Sequence, residues 1–334
     1  MKKLLPILLA LIGLRGAGLE VNLLEVDLAV RPGTVHTFSF VVRNETEVAE
    51  TFTVYLGDWD RDELGGNRFY PPGTLPHSLS PWLRVTPSSF TLAPGATREV
   101  QGTLTVLSTV AAGAYWGIVF VQGEPRPVEQ GGTTVMVAKR IGIKVYATVG
   151  SPRPQGEIRR VEFRGLNPLW LVVEFANSGR ANLREVRVEV QVYDAQGKLL
   201  GEVKPDPVPC LPGGVRWVVA ESELRLGPGT YLAVVRVDFG GPEVLAAQAT
   251  LRVRPLALVP LAGGGLPRDL DGDGLYEDIN GDGAFDEDDV ALFREVWRGA
   301  GVQGNARAFD FDNSGRVDEG DVRALEALLA ARSR

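Results

Sequence analysis

The sequence predicts a mainly β chain: two tandem β-sandwiches followed by a small α-helical module. Three observations carry this expectation. Short β-branched or aromatic segments recur from about residue 35 to residue 253, separated by Pro-Gly or Gly-rich turns. The order of these segments repeats once, as an Asn at a strand end, then a Pro-Gly turn, then a Gly-x-Tyr strand entry. The last quarter then changes texture, becoming acidic and carrying two twelve-residue frames that each lead into a segment of helical period.

At the start, Met1-Lys2-Lys3 is a short basic stretch, and LLPILLALIGL is an apolar run too short to span a bilayer. Gly16-Ala17-Gly18 then offers the small residues of a cleavage site before Leu19. Residues 1–18 thus read as a signal peptide, and the expectation is a secreted protein of the periplasm or cell surface. No second apolar stretch of spanning length follows, so no transmembrane span is expected after cleavage.

Residues 19–150 contain the strand-like segments TVHTFSFVVRN, TFTVYLGDW, REVQGTLTV, AYWGIVFVQ and RIGIKVYATV. GSPRPQ at 150–155 is a Pro-rich joint. Residues 155–254 return to LWLVVEFAN, EVRVEVQVYDAQG, VRWVVAE, TYLAVVRVDF and ATLRVRP. Asn44 answers to Asn177, Pro94-Gly95 to Pro212-Gly213, and Tyr115 to Tyr231. Two units of about 100 residues with some seven strands each fit immunoglobulin-like sandwiches. Tyr115 and Tyr231 fall where a tyrosine corner ties its hydroxyl back to the backbone. The first unit is longer by the Gly/Pro-rich stretch 59–82, expected to be a loop.

Within the first unit, WLRVTPSSFTLAPGATREVQGTLTV, GAYWGIVFVQ and Arg140 ahead of Ile141-Gly-Ile143 resemble the first domain of periplasmic pilus-assembly chaperones. They are equally similar to domains of the WxL-interacting surface proteins. This resemblance implies fold more than function.

Catalysis finds little to work with. His36 sits in an apparent strand, His77 in a Pro-rich loop, and Cys210 is the single cysteine, read as an apolar filler. Asp58, Asp60 and Asp62 lie together but read as a polar loop tip. The expectation is a protein that is not an enzyme. Trp59, Phe69, Tyr70 and Trp82 are the candidate aromatics for a carbohydrate platform, with core or loop anchoring the simpler role.

PLALVPLAGGGLP at 255–267 reads as a flexible linker. The frames that follow are DINGDGAFDEDD and DFDNSGRVDEGD. A calcium loop takes oxygens from positions 1, 3, 5, 7, 9 and 12, with Gly at 6 for a sharp turn. In the first frame these are Asp278, Asn280, Asp282, the Ala284 carbonyl, Asp286 and Asp289, with Gly283 at the turn. In the second they are Asp310, Asp312, Ser314, the Arg316 carbonyl, Asp318 and Asp321, with Gly315. Both end on Asp, where an ordinary EF-hand has Glu. An overlapping acidic run offers Asp269, Asp271, Asp273 and Glu277 for a third ion. The cofactor expected is therefore Ca2+, two ions and at most three.

Val290, Phe293, Val296 and Trp297 after the first frame, and Val322, Leu325, Leu328 and Leu329 after the second, are at helical spacing. The residues ahead of each loop, Gly-rich or acidic, are expected to be non-helical. Loop then helix, twice, with terminal Asp, resembles the dockerin domain, a pair of half EF-hands, over about 266–334. The resemblance implies a protein partner, a cohesin on a cellulosome scaffold, and the company of polysaccharide-degrading proteins. It departs at loop positions 10 and 11, where Glu287-Asp288 and Glu319-Gly320 replace the usual Ser/Thr pair. That keeps calcium and leaves the partner open between a cohesin-like protein and another envelope protein.

From residue 268 onward there are seventeen Asp/Glu against eight Arg, a net of −9, whereas the whole chain is −7. The carboxylates repel one another without counter-ions, so metal binding and folding are expected to be coupled. The acidic end also excludes nucleic acid as a partner.

Overall fold

The computed structural model describes residues 18–332 apart from 167–168, 225 and 273. The signal-peptide reading falls on residues outside these, save Gly18, and so does Asp273. The chain divides into two compact units. One takes residues up to 155 with 177–183 and 210–214; the other takes 156–176, 184–209 and 215 onward.

The first sandwich is built from β1 (Leu19–Val21), β2 (Glu25–Val30), β3 (Val35–Asn44), β4 (Glu50–Arg61), β5 (Asn67–Tyr70), β6 (Leu83–Thr86), β7 (Ser89–Leu92), β8 (Thr97–Thr105), β9 (Gly113–Gly123), β10 (Arg126–Gln130), β11 (Thr133–Val137) and β12 (Arg140–Val149). One sheet runs β1-β3-β8-β6 and the other β2-β12-β9-β4-β5, with β7 also on β4; β10 and β11 form a separate ribbon. Phe40, Phe52, Leu83, Leu104, Val119 and Ile143 fill the space between the sheets.

β9 is buried on both faces. Tyr115, Val119 and Val121 point into the main core. Trp116, Ile118 and Phe120, of opposite parity, join Trp59, Tyr146 and Leu211 in a second apolar layer. Stretch 59–82 is thus no plain loop. Its first residues continue β4, β5 pairs back on them, and the rest is anchored by Asp58. That buried carboxylate accepts from the Leu75 N–H at 2.8 Å, Ser78 Oγ at 2.6 Å and Ser80 Oγ at 2.7 Å. Extending β4 buries Trp59 completely in that second layer, and this apolar burial outweighs the nearby Gly and Pro residues.

The second sandwich is built from β13 (Glu157–Leu166), β14 (Leu169–Ala176), β15 (Leu183–Tyr193), β16 (Leu199–Val203), β17 (Val208–Cys210), β18 (Val215–Ser222), β19 (Gly229–Asp238) and β20 (Leu245–Val253). Its sheets are β13-β14-β18 and β16-β15-β19-β20, with β17 on β15. Val173, Phe175, Val188, Val190, Ala233, Val235 and Val237 are buried at alternating positions.

The repeat in the sequence is a repeat in atoms. Asn44 Nδ2 donates to the carbonyls of Val48 (2.8 Å) and Leu92 (2.9 Å), and Oδ1 accepts from the Thr46 N–H at 2.9 Å. Asn177 Nδ2 donates to the carbonyls of Ala181 (2.8 Å) and Cys210 (2.9 Å), and Oδ1 accepts from the Gly179 N–H at 3.1 Å. The Gly95 and Gly213 amides donate to the carbonyls of Asn44 and Asn177 respectively. Tyr115 and Tyr231 each donate to the carbonyl four residues earlier, Ala111 at 3.1 Å and Gly227 at 2.8 Å. Both are tyrosine corners.

The C-terminal module holds α1 (Glu287–Val296), α2 (Ala300–Gln303), α3 (Ala306–Phe309) and α4 (Glu319–Arg332). The two short helices lie in GAGVQGNARAF, where no helix was expected. Val302, Ala308 and Phe309 are fully buried there, and tertiary packing overrides the weak propensity of a Gly-rich segment. Phe293 and Leu325 meet in the core with Val296, Trp297 and Leu329 at its margin. Leu328, expected to face α1, is 44% exposed. Segment 255–267, expected to swing freely, packs on the module instead: Leu261 is buried in its core, with Leu256 and Leu258 beside it.

Candidate metal centre

The two acidic frames fold into loops with the same hydrogen bonds. In the first, the Asp282 N–H donates to Asp278 Oδ1 at 3.0 Å and the Gly283 N–H to Oδ2 at 2.8 Å. In the second, the Ser314 and Gly315 N–H groups donate to Asp310 Oδ1 and Oδ2, both at 2.9 Å. Position 12 repeats the correspondence. Asp289 accepts from the amides of Asn280 (3.0 Å) and Asp286 (2.9 Å). Asp321 accepts from those of Asp312 (3.1 Å) and Asp318 (2.7 Å). Each loop is thereby wound around the carboxylates at its first and last positions.

Gly283 and Gly315 have φ of 98° and 87°, the left-handed backbone that a side chain at position 6 would strain. Position 9 starts the helix. Asp286 caps α1 in a reciprocal box with Asp289, and Asp318 accepts from the Gly320 N–H at 2.7 Å. The helices therefore begin on metal-ligand candidates, which ties helix formation to loop geometry.

In the second loop, ligand oxygens of Asp310, Asp312 and Asp321 lie within 4.8 Å of one another, and Ser314 Oγ donates to the Arg316 carbonyl at 3.1 Å. In the first, Asn280 and Asp282 are hydrogen-bonded to each other, through the Asp282 N–H at 2.8 Å and Asn280 Nδ2 at 3.1 Å. The Ala284 amide donates to Asp282 Oδ1 at 2.8 Å. Asp278, Asp289 and Asp321 are fully buried. Burial holds the carboxyls of Asp289, Asp310 and Asp321 above the usual carboxylate range, and the neighbouring charges of Asp278, Asp312 and Asp310 add to this against the pull of the backbone amides. Carboxylates held up chiefly by burial, with their mutual repulsion adding to it, fit a hard divalent cation.

The upstream run forms a smaller version. Asp269 accepts from the Gly272 and Gly274 amides at 2.7 and 2.8 Å, and oxygens of Asp269, Asp271 and Glu277 lie within 4.8 Å of one another. Burial raises the Glu277 carboxyl. Here, however, a guanidinium stands by: Arg332 Nη2 is 3.4 Å from both Asp271 and Glu277, with its carbon 5.3 Å from the Phe285 ring centroid. Sequence reasoning missed Arg332, whose single signal is a basic residue in the last turn of a helix.

Residues elsewhere take structural roles. Asp58 and Asp60 lie in β4 rather than at a loop tip; Asp60 pairs with Arg68 at 2.8 Å, and Asp62 closes the turn through the Leu64 and Gly66 amides. The candidate carbohydrate platform does not assemble. Trp59 and Trp82 are buried, Tyr70 is bonded to Asp60, and Phe69 packs edge-on to Phe120.

The family model of the dockerin type I domain matches residues 276–330. That span is a dockerin domain. It takes in both loops and α1 to α3 with most of α4, and leaves the 269–275 run and the segment before it outside. No curated protein matches the chain. Among solved structures, a chaperone–tip adhesin complex of CFA/I fimbriae biogenesis gives 10% identity and a TM-score of 0.40 over 71% of this chain and 100% of its own. The E. coli chaperone DraB gives 14% and 0.34 over 70% and 98%, and the Pseudomonas aeruginosa CupB2 chaperone 12% and 0.33 over 69% and 97%. The part ahead of the dockerin thus resembles pilus chaperones in structure. At these scores the likeness carries nothing about function.

Proposed function

We propose that this chain is an exported, non-enzymatic attachment protein of the envelope or cell surface, whose calcium-loaded dockerin module couples to a protein partner. The observation that carries the reading is the pair of loops with matching hydrogen bonds around positions 1 and 12 and a fully buried carboxylate at position 12 of each. Calcium bound there would supply the positive charge that the converging carboxylates call for and would fix the start of α1 and α4. Asp278, Asn280, Asp282, Asp286 and Asp289, with the Ala284 carbonyl, would hold one ion. Asp310, Asp312, Ser314, Asp318 and Asp321, with the Arg316 carbonyl, would hold the other. Two ions are expected rather than three, since Arg332 already answers the charge of Asp271 and Glu277.

The partner is a cohesin-like protein or another envelope protein, and the two sandwiches act as its spacer. The test is titration calorimetry of the mature chain, followed by capture from an envelope extract with calcium or chelator. Two ions, one lost in Asp278→Ala and one in Asp310→Ala, with capture in calcium alone, support the reading. No bound ion, or equal capture in chelator, overturns it.

One observation favours a second reading, strand addition to an exported subunit. Among the described pairings β2 joins β12 from Lys144 onward, so Arg140–Ile143 border β9 alone, beside exposed Lys139 and Arg140. Capture that persists in chelator and is lost when Gly142 is replaced by Pro would favour it.

A further inference from the structure

Segment 255–268 lies wholly outside the dockerin match, yet it is bonded to the module at both ends. At one end, the Ala257 N–H donates to Asn305 Oδ1 at 2.7 Å while Asn305 Nδ2 donates to the Ala257 carbonyl at 3.1 Å. The buried Asn305 also reaches the Gly301 carbonyl at 2.8 Å. In the middle, Leu261 is buried with Phe293, Val302 and Phe309. At the other end, the Gly265 N–H donates to the Asn280 carbonyl at 2.5 Å, and Arg268 and Asp278 exchange backbone bonds at 2.9 and 3.3 Å.

The glycines of GGG allow this contact rather than supplying slack. A Cβ on Gly264 would lie 2.7 Å from the Asn280 carbonyl oxygen, and one on Gly265 2.9 Å from that of Gly281. The backbone at Asp278, Asn280 and Gly281 thus serves two tasks. Its side chains at 278 and 280 are the ones that would face an ion in the loop, and its peptide groups hold the segment.

We infer that residues 255–268 are a strap whose attachment is controlled by calcium in the first loop. Loaded, the loop presents its carbonyls in register and the strap is fast. Emptied, the mutually repelling carboxylates of Asp278, Asp282 and Asp289 spread, the register is lost, and the tether becomes a loose chain. This rests on the calcium reading and extends it: the same ion that folds the module would also decide how stiffly it is carried.

Hydrogen exchange of the mature chain, with and without calcium, tests this at the amides of Ala257, Gly265 and Arg268. Calcium should slow exchange there by about tenfold or more, and Asp278→Ala should abolish the effect. Asn305→Ala should free Ala257 alone, with Gly265 and Arg268 still protected and both ions still bound by calorimetry. Fast exchange in calcium with two ions bound, or equally slow exchange in chelator, would overturn the strap and leave the calcium reading standing. Failure to bind any ion would remove both.

Discussion

The paired asparagine clamps yield a prediction whose size can be worked from the bonds. Asn177→Ala removes three partners at once: the carbonyls of Ala181 and Cys210 each lose a donor, and the Gly179 amide loses its acceptor. At about 1 kcal/mol for each buried group left short of a partner, the cost is about 3 kcal/mol. That is roughly a 150-fold change in the opening equilibrium. Asn44→Ala should cost less, about 2 kcal/mol, because the Val48 carbonyl keeps a donor in Thr46 Oγ1 at 2.8 Å. Asn→Asp separates hydrogen bonding from volume. It preserves size but turns a carboxylate oxygen on two carbonyls, so it should cost at least as much as Ala at either site. The assay is native-state hydrogen exchange, read on β14 and β18 for Asn177 and on β3 and β8 for Asn44. Asp variants close to wild type, or Asn44→Ala costing more than Asn177→Ala, would refute the argument from amide donors.

Two further outcomes follow from the same kind of reading. His77 stacks on Trp116 at 5.1 Å between ring centroids, and burial, with the Arg180 charge, holds its imidazole below the ordinary histidine value. NMR titration should find it neutral at pH 7. Since the unfolded chain takes the proton first, its contribution to stability is present above about pH 6.5 and is lost as pH falls through the lower folded value. On α4, Leu325→Ala should cost about 3 kcal/mol of the calcium-loaded module's stability. Leu328→Ala should cost less than 1, given its exposure; equal costs by denaturant titration would contradict the placement of that helix face.

Much of this was legible because the signals were local. A twelve-residue loop needs its oxygens and its glycine at fixed offsets, so both frames could be read directly, as could the helices after Asp289 and Asp321. The Asn, Pro-Gly and Tyr positions were legible because each closes a turn or corner near in sequence. What escaped depends on distant partners. Trp59 looked like a loop residue because its neighbours Trp116 and Tyr146 lie far along the chain. α2 and α3 have almost no propensity and exist because Val302 and Phe309 are buried. GGG looked like slack because its function is a close approach to Asn280 and Gly281, which composition does not reveal.

The asparagine clamp also bears on how such a chain could arise. Its side chain addresses backbone groups almost exclusively: a Leu92 carbonyl in one sandwich, a Cys210 carbonyl in the other. A fastening that ignores its partners' side chains puts no constraint on them. After a duplication, every residue around the corner could change so long as the Asn, the Pro-Gly turn and the Tyr stayed. Two descendants of one ancestral unit would then come to share a few fixed letters in otherwise unrelated text, and residues 19–254 show that pattern.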